Sequence, residues 1–302
     1  MQALNASSAE SFRQAAGFFQ SAIDKDPSFA MAWLGLARAH DSMSSEVAPL
    51  VSYQQVGAEA RHALDLDPQL AEAHETLAII AWERDHDWPL AEREFRLATA
   101  GNGSASAHSH AKYAFHLAER GRFAESHQHL QIAQGLSPLE VLPFINEAWV
   151  FFYEHRLAEA DRAFHRVLES HPDNAMAQEG LGHLQTMLGN CAAGGEYAAK
   201  LTKLWPGSFL TQSVLWNLSA CQGDVARARK LLDQAAPKIP PFYAAASYAV
   251  LGDKERARVP RQSRVGARYS GNLHEGQSLS RFASLRSPLR RVGTACWAGY
   301  IA

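Results

Sequence analysis

Residues 174–206 read NAMAQEGLGHLQTMLGNCAAGGEYAAKLTKLWP, and this stretch decides the fold. Small and apolar residues recur at helical spacing on both sides of Gly189-Asn190, which predicts two amphipathic helices joined by a tight turn. Pro206 ends the second helix, because a proline ring cannot continue the hydrogen-bond ladder and disfavours helical geometry in the residue before it. The stretch is therefore predicted to be a helical hairpin.

The hairpin recurs along the chain of 302 residues with a fixed period. Pro138, Pro172, Pro206 and Pro240 follow one another at 34 residues, and Pro68 lies two repeats and two inserted residues before the first of them. A period of this size indicates one supersecondary unit stacked on copies of itself. Glycine at the turn of each pair permits a positive φ after the end of the first helix, which histidine could adopt only with some strain. These turn residues are Gly121, His155, Gly189, Gly223 and Gly252.

Two stretches carry a recognisable signature: WLGLA at 33–37 opens one pair, and AEREFRLA at 91–98 closes the next. With the 34-residue period, this pattern resembles the tetratricopeptide repeat (TPR) over roughly residues 11–257. The resemblance implies an all-α fold, a right-handed TPR superhelix, which is an α-solenoid of antiparallel helix pairs. Small residues at the eighth position of the first helices would let neighbouring helices approach closely. They are Ala37, Ala78, Ala114, Ala148 and Gly182.

The repeats divide the chain into an array, 1–257, and a tail, 258–302. The array begins with a lone helix at 9–27, continues with six full repeats over 30–240 and ends with a partial repeat at 241–257. Because the chain starts in mid-repeat, we expect it to be a fragment or the end of a longer gene product. The tail is rich in Arg, Ser and Gly, so we expect it to be disordered. Whether it is a functional basic tail or a reading-frame artefact stays open.

Composition excludes several classes of function. A formal net charge of -2 provides no basic field, so the array is not expected to bind nucleic acid. No run of about 18 apolar residues occurs, which excludes a membrane span, and the first residues lack the pattern of a signal peptide. The three cysteines are widely spaced, which indicates neither a disulfide framework nor a zinc site and suits a reducing compartment. The sequence therefore predicts a cytoplasmic protein.

No arrangement of residues supports catalysis. The Gly-Leu-Gly at 180–182 is half of a dinucleotide-binding fingerprint, but it lies inside a predicted helix with no strand before it. The pairs His108/His110 and His127/His129 resemble metal ligands, yet residues two apart on a helix point in nearly opposite directions. We therefore predict a non-enzyme with no catalytic residue, no metal site, no cofactor and no small-molecule substrate.

Binding is the function that the repeats favour. In the family that the chain resembles, the first helix of each pair lines a concave groove. By this register the groove has an aromatic centre with acidic flanks, and its mapped residues include Arg38, Asp41, Glu75, Ile79 and Glu83. The open alternative is that the aromatic residues fill the packing between neighbouring helices. The predicted partner-binding residues are Trp82, Phe115, Trp149, Phe152, Tyr153, His183 and Asn217.

These residues predict a non-catalytic protein–protein interaction scaffold that binds a peptide or helical segment in the groove through aromatic anchors. One alternative comes from a narrower resemblance. The strings ALDLDP at 63–68 and WPLAEREF at 88–95 are similar to a bacterial TPR module that follows a winged-helix or adenylate-cyclase domain. This implies the sensory half of a bacterial transcription regulator or signalling protein without its effector domain. The other alternative is a truncated fragment with no independent function, in which the N-terminal helix drives self-association.

Overall fold

The structure of the chain is a computed structural model that describes residues 9–46, 53–85, 87–100, 106–236, 244, 247–248, 251–253 and 255–257. Within these residues it contains thirteen α-helices and no strand, which confirms the all-α prediction. None of these helices is long and apolar enough to cross a membrane. The predicted disordered tail, 258–302, and much of the predicted partial repeat, 241–257, lie outside the described residues.

The helices follow the predicted alternation of first and second members of each pair. By the register of the sequence, the even-numbered helices from α2 onward are first helices and the odd-numbered helices are second helices. In chain order they are α1 (Ala9–Lys25), α2 (Ala30–Glu46), α3 (Tyr53–Leu66), α4 (Ala71–Glu83), α5 (Trp88–Ala100), α6 (Ala107–Glu119), α7 (Phe123–Leu136), α8 (Val141–Tyr153), α9 (Leu157–Ser170), α10 (Ala175–Met187), α11 (Cys191–Leu204), α12 (Phe209–Cys221) and α13 (Val225–Ala235).

The described helices form two compact units, one drawn from Met1–Tyr113 and the other from Ala114–Ala302. In the first unit α1 packs on α2, α2 on α3, and α4 on α5. In the second unit the pairs α8/α9, α10/α11 and α12/α13 pack in the same way. First helices also touch one another, α2 with α4 and α10 with both α8 and α12. Each unit therefore has the packing of a TPR solenoid, while the boundaries predicted for the array and the tail stay predictions.

The turns within the pairs have the predicted backbone geometry. The φ angles are 70° at Gly121, 83° at Gly189, 81° at Gly223 and 75° at Gly252. His155 is the one non-glycine residue with a positive φ in the described part of the chain, at 59°. A side chain in this region is disfavoured, so the repeat geometry imposes the conformation on His155 against its intrinsic preference.

Small residues allow the first helices to approach as the sequence predicted. A Cβ on Gly182 in α10 would lie 2.8 Å from Cγ1 of Val214 in α12, closer than side-chain atoms normally come. The absence of a side chain at this position therefore sets the spacing of these two helices. The other four positions of the series hold completely buried alanines, namely Ala37, Ala78, Ala114 and Ala148.

Replacing Asn174 by alanine is expected to lower the free energy of unfolding by about 1 kcal/mol. Asn174 precedes α10, and its Oδ1 accepts a hydrogen bond from the Ala177 N–H at 2.9 Å, a group that the helix itself leaves unpaired. Asn190 precedes α11 without making such a bond, so Asn190→Ala is the matched control and should change the stability by less than about 0.5 kcal/mol. Urea unfolding followed by circular dichroism measures both, and equal losses would contradict the prediction.

Candidate partner-binding surface

The seven predicted partner-binding residues all lie on first helices, but they belong to two units. Trp82 is in α4 of the first unit. The remaining six lie in the second unit, namely Phe115 in α6, Trp149, Phe152 and Tyr153 in α8, His183 in α10 and Asn217 in α12. Two groups form within that second unit, an aromatic cluster and a polar pair.

The aromatic cluster is buried. Trp149, Phe152 and Tyr153 are 3%, 2% and 3% exposed. The Trp149 ring meets the Phe152 ring at a centroid distance of 5.5 Å, and Tyr153 meets the half-buried Phe115 at 5.7 Å. Trp82 is likewise buried in the first unit, with its ring 6.1 Å from that of Phe95. These rings present little surface in this structure, so their predicted contact with a partner would require neighbouring side chains to move.

The polar pair joins His183 to Asn217. The Asn217 Nδ2 amide lies 2.8 Å from His183 Nδ1 and donates to it, so the imidazole proton is assigned to Nε2. That nitrogen faces Ser213 Oγ at 3.2 Å and Glu179 Oε1 at 3.4 Å. The Ser213 hydroxyl donates to Glu179 Oε1 at 2.9 Å. In the arrangement that activates a serine nucleophile, a carboxylate orients the imidazole through Nδ1. Here the Glu179 carboxylate contacts the Ser213 hydroxyl directly, and Asn217 occupies Nδ1, so the arrangement is a different one.

The first unit contains a similar buried carboxylate. Glu75 Oε1 lies 2.7 Å from His108 Nδ1, and Oε2 accepts a hydrogen bond from the Ser109 hydroxyl. Burial by itself raises the pKa of the Glu75 carboxyl, but the bonds from His108 and Ser109 outweigh it, and the pKa falls below its ordinary value. Glu75–Ser109 and Glu179–Ser213 both span 34 residues, so one repeat period brings an acid and a hydroxyl of successive first helices together.

A pocket of about 170 Å³ opens beside Glu75 in the first unit. We call it the Asp41 pocket. Residues from α2, α4 and α6 line it, which are all first helices, and several of them occupy positions that the register assigned to the groove. Its lining residues are Arg38, Asp41, Ser42, Glu75, Thr76, Ile79, Ile80 and His108.

Asp41 is the acid lining this pocket whose carboxyl pKa is raised. Burial raises the pKa of its carboxyl, nearby Glu83 raises it further, and Arg84, Lys112 and Arg38 oppose the shift. The half-buried carboxyl receives no hydrogen bond from the described residues. It is therefore a partly desolvated acid whose charged form lacks the donors that normally stabilise one.

The histidines that the sequence singled out as possible metal ligands have different surroundings in the structure. His108 pairs with Glu75, whereas His110 is buried and desolvation lowers its pKa. His127 Nε2 lies 3.1 Å from Glu154 Oε2. Across the described ranges, no three His, Cys, Asp or Glu side chains are grouped closely enough to hold a metal ion.

The cysteine interpretation was wrong. Cys191 and Cys221 form a disulfide with Cα atoms 5.8 Å apart. Cys191 begins α11 and Cys221 ends α12, and the two are separated by 30 residues along the chain. Wide spacing argues against a disulfide between cysteines that are close in sequence. A separation close to one repeat period, however, brings together the turn ends of two successive helix pairs, where Cys191 and Cys221 lie. That comparison of spacing with period was the signal that the sequence analysis missed.

Comparisons with known proteins agree with this fold. The tetratricopeptide repeat family model matches residues 1–42 and 145–209. PilW, a widely conserved type IV pilus biogenesis factor, has a solved structure similar at a TM-score of 0.55 and 22% identity, covering 68% of this chain and 91% of that protein. Pseudomonas aeruginosa PilF gives 0.51 and 21% over 71% and 93%. A tetratricopeptide repeat protein from Parabacteroides merdae gives 0.58 and 13% over 75% and 86%. No curated protein sequence matches the chain.

The fold and the partial family match are consistent with one class of protein. At such identities the solved structures show the fold alone, which is an α-solenoid of packed helix pairs. Together with the 34-residue period and the family match, they support a tetratricopeptide repeat protein. The comparisons do not show the narrower similarity to a module linked to winged-helix or adenylate-cyclase domains.

Proposed function

We propose that the chain is a non-catalytic scaffold that binds a peptide or helical segment of a partner protein along its first helices. The observation that carries this proposal is the Asp41 pocket, because α2, α4 and α6 line it and it includes the register positions Arg38, Asp41, Glu75 and Ile79. An open, polar pocket with an apolar wall is suited to recognising side chains.

The second unit supports the proposal in a different way. Its predicted aromatic anchors are buried, which leaves half-buried Phe115 and Asn217 as the accessible members of the predicted set. Phe115 packs on Tyr153, so a partner that contacts it would extend an existing aromatic cluster. In the second unit we therefore expect a partner to contact Phe115 first, and we treat Trp149, Phe152 and Tyr153 as the layer beneath.

The cellular location bears on which partners the chain meets. The cytoplasmic prediction depended partly on reading the cysteines as reduced. Disulfides persist in oxidising compartments and are rare in the cytosol of mesophiles. The Cys191–Cys221 bridge therefore favours a partner in an oxidising compartment, or a cytoplasmic role in which the bridge is transient.

The remaining hypotheses make separate predictions. If the chain is the sensory half of a regulator, the gene directly upstream encodes a winged-helix or cyclase domain in frame. If α1 drives self-association, its exposed Phe18, which is 76% accessible, belongs to the contact, and Phe18→Ser should lower the apparent mass in size-exclusion chromatography. Neither outcome is needed for the scaffold role.

Photo-crosslinking tests where a partner lies. A benzophenone amino acid replaces Ile79 or Phe115 on first helices, or Leu97 or Ile132 on second helices, where the side chains are 47% and 46% exposed. The probe is a set of peptides selected by the chain from a random library. We expect peptide adducts at Ile79 and Phe115 and little at Leu97 and Ile132.

Each unit in this experiment contains its own control, because one second-helix position is compared with one first-helix position in the same unit. The second-helix side chains are the more exposed, so random collision would favour them. Adducts mainly at Leu97 and Ile132, or no selected peptide at all, would reject the first-helix surface as the binding site.

A further inference from the structure

The Asp41 pocket has a charge arrangement that goes beyond a general peptide groove. Two acids line it, Asp41 and Glu75, and a third acid, Glu83, is close enough to raise the pKa of Asp41. Glu75 is already occupied by His108 and Ser109. Asp41 is the lining carboxylate that the described residues leave without a hydrogen-bond donor.

The cations near Asp41 are engaged elsewhere or lie at the rim. The Arg84 guanidinium stacks 4.1 Å from the centroid of the Tyr53 ring and donates to its hydroxyl. The Lys112 ammonium lies 3.9 Å from Glu83. Arg38 is exposed to solvent, where water screens its charge. None of these cations forms an ion pair with Asp41 among the described contacts, so the carboxylate is available to an incoming donor.

We propose that the Asp41 pocket binds a lysine or arginine side chain of the partner segment, with its cationic head on the Asp41 carboxylate and its methylene stem against Ile79 and Ile80. This assignment rests on the proposed scaffold function and names the chemistry of the partner at that site. Long basic side chains bury their stems against apolar surface while the charged head pairs with an acid.

The size of the pocket agrees with a single side chain. Its volume of about 170 Å³ is below the roughly 300–1,000 Å³ typical of pockets for drug-sized ligands. An anionic group fits poorly, because it would meet Asp41, Glu75 and Glu83 while His108 Nδ1 is already used by Glu75. A neutral side chain would leave the Asp41 charge uncompensated. The acid and the apolar wall together therefore select a basic side chain.

Methyl NMR tests the proposal directly, because Ile79 and Ile80 place reporter methyl groups in the pocket wall. The full chain, labelled at isoleucine methyls, is titrated with lysine or arginine blocked at both ends. The comparison probes are blocked norleucine, which has the same stem without the charge, and blocked glutamate. We expect saturable shifts at Ile79 and Ile80, with basic probes binding about tenfold more tightly than norleucine, as a charge-assisted hydrogen bond allows.

Three variants sharpen the test. Asp41→Asn should abolish the preference for basic probes over norleucine, whereas Asp65→Asn, the same change on an exposed second-helix site, should leave it unchanged. Arg38→Gln removes a like charge from the rim and should tighten basic probes a few-fold. Because no hydrogen bond to Asp41 is lost, Asp41→Asn should fold normally, and isoleucine methyl shifts outside the pocket check this.

The proposal is overturned if norleucine or glutamate binds as tightly as lysine, or if Asp41→Asn retains the preference. Its failure is separate from failure of the scaffold role. If peptides crosslink at Ile79 but the Asp41 pocket shows no preference for basic probes, only the basic side chain is rejected as the ligand. Basic probes that bind the pocket in a chain giving no first-helix crosslinks would retain the pocket and reject the scaffold role.

Discussion

Replacing Cys191 by serine is expected to lower the free energy of unfolding of the second unit by about 3–4 kcal/mol, which is the chain-entropy effect of a cross-link over this span. The bridge to Cys221 closes a segment with a sequence separation of 30 that contains all of α11 and α12. Without the bridge, the unfolded chain regains the freedom of that segment, while the packing of α11 on α12 in the folded state is unchanged.

Reduction provides the control for this prediction. A dithiol reagent should destabilise the wild-type chain by a similar amount and should leave Cys191→Ser unchanged, because that variant has no bridge to reduce. Thiol titration of the denatured, unreduced chain should find one free thiol of the three cysteines, since the bridge uses two. Three free thiols, or a reductant effect on Cys191→Ser equal to that on wild type, would contradict the assignment.

The sequence could predict the features that repeat. The period placed all five turn residues, and His155 has a positive φ like the four glycines although its residue type argues against it. This succeeds because a stacked array forces equivalent positions into equivalent geometry. The local preference of one histidine is small beside the packing of the helices on either side.

The aromatic residues show where register stops being informative. Register assigns Trp149 to the groove face of a first helix, but it does not predict which side chains cover the ring. In the structure the covering side chains are Phe164, from the second helix of the same pair, and His183, from the next pair, at centroid distances of 5.3 and 6.2 Å. Burial depends on these contacts between elements, which a periodic pattern does not encode.

The polar residues divide in the same way. Register assigned Asp41 and Glu75 to one surface, and in the structure both line the Asp41 pocket. Register does not predict that His108 pairs with Glu75. Nor does it predict that no described residue donates a hydrogen bond to Asp41. The pairing of His183 with Asn217, both predicted, follows from their separation of 34 residues, which is one period. Residues one period apart are thus the pairs that sequence alone can anticipate.

Phe164→Ala is expected to lower the free energy of unfolding of the second unit by about 3–5 kcal/mol. Phe164 in α9 is completely buried, and its ring meets Trp149 edge-on. Removing it leaves a cavity in the hydrophobic cluster that also contains Trp149, Phe152 and Tyr153. Leu168→Ala on the same helix is the matched control, because Leu168 is only half-buried and should cost less than half as much. Equal losses in urea unfolding would show that Phe164 is not a central contact.

The packing of the Phe164 ring can also be tested at Gly180 in α10, which the ring contacts. A Cβ at Gly180 would overlap the Phe164 ring, so Gly180→Ala should destabilise by about 1–3 kcal/mol. Gly135 in α7 has no atom within 4 Å of the same added carbon, so Gly135→Ala should instead stabilise by up to about 1 kcal/mol. Combining Gly180→Ala with Phe164→Leu should cost less than the sum of the two single changes, because the smaller side chain makes room for the methyl group. Strict additivity would mean that the ring does not fill the space above Gly180.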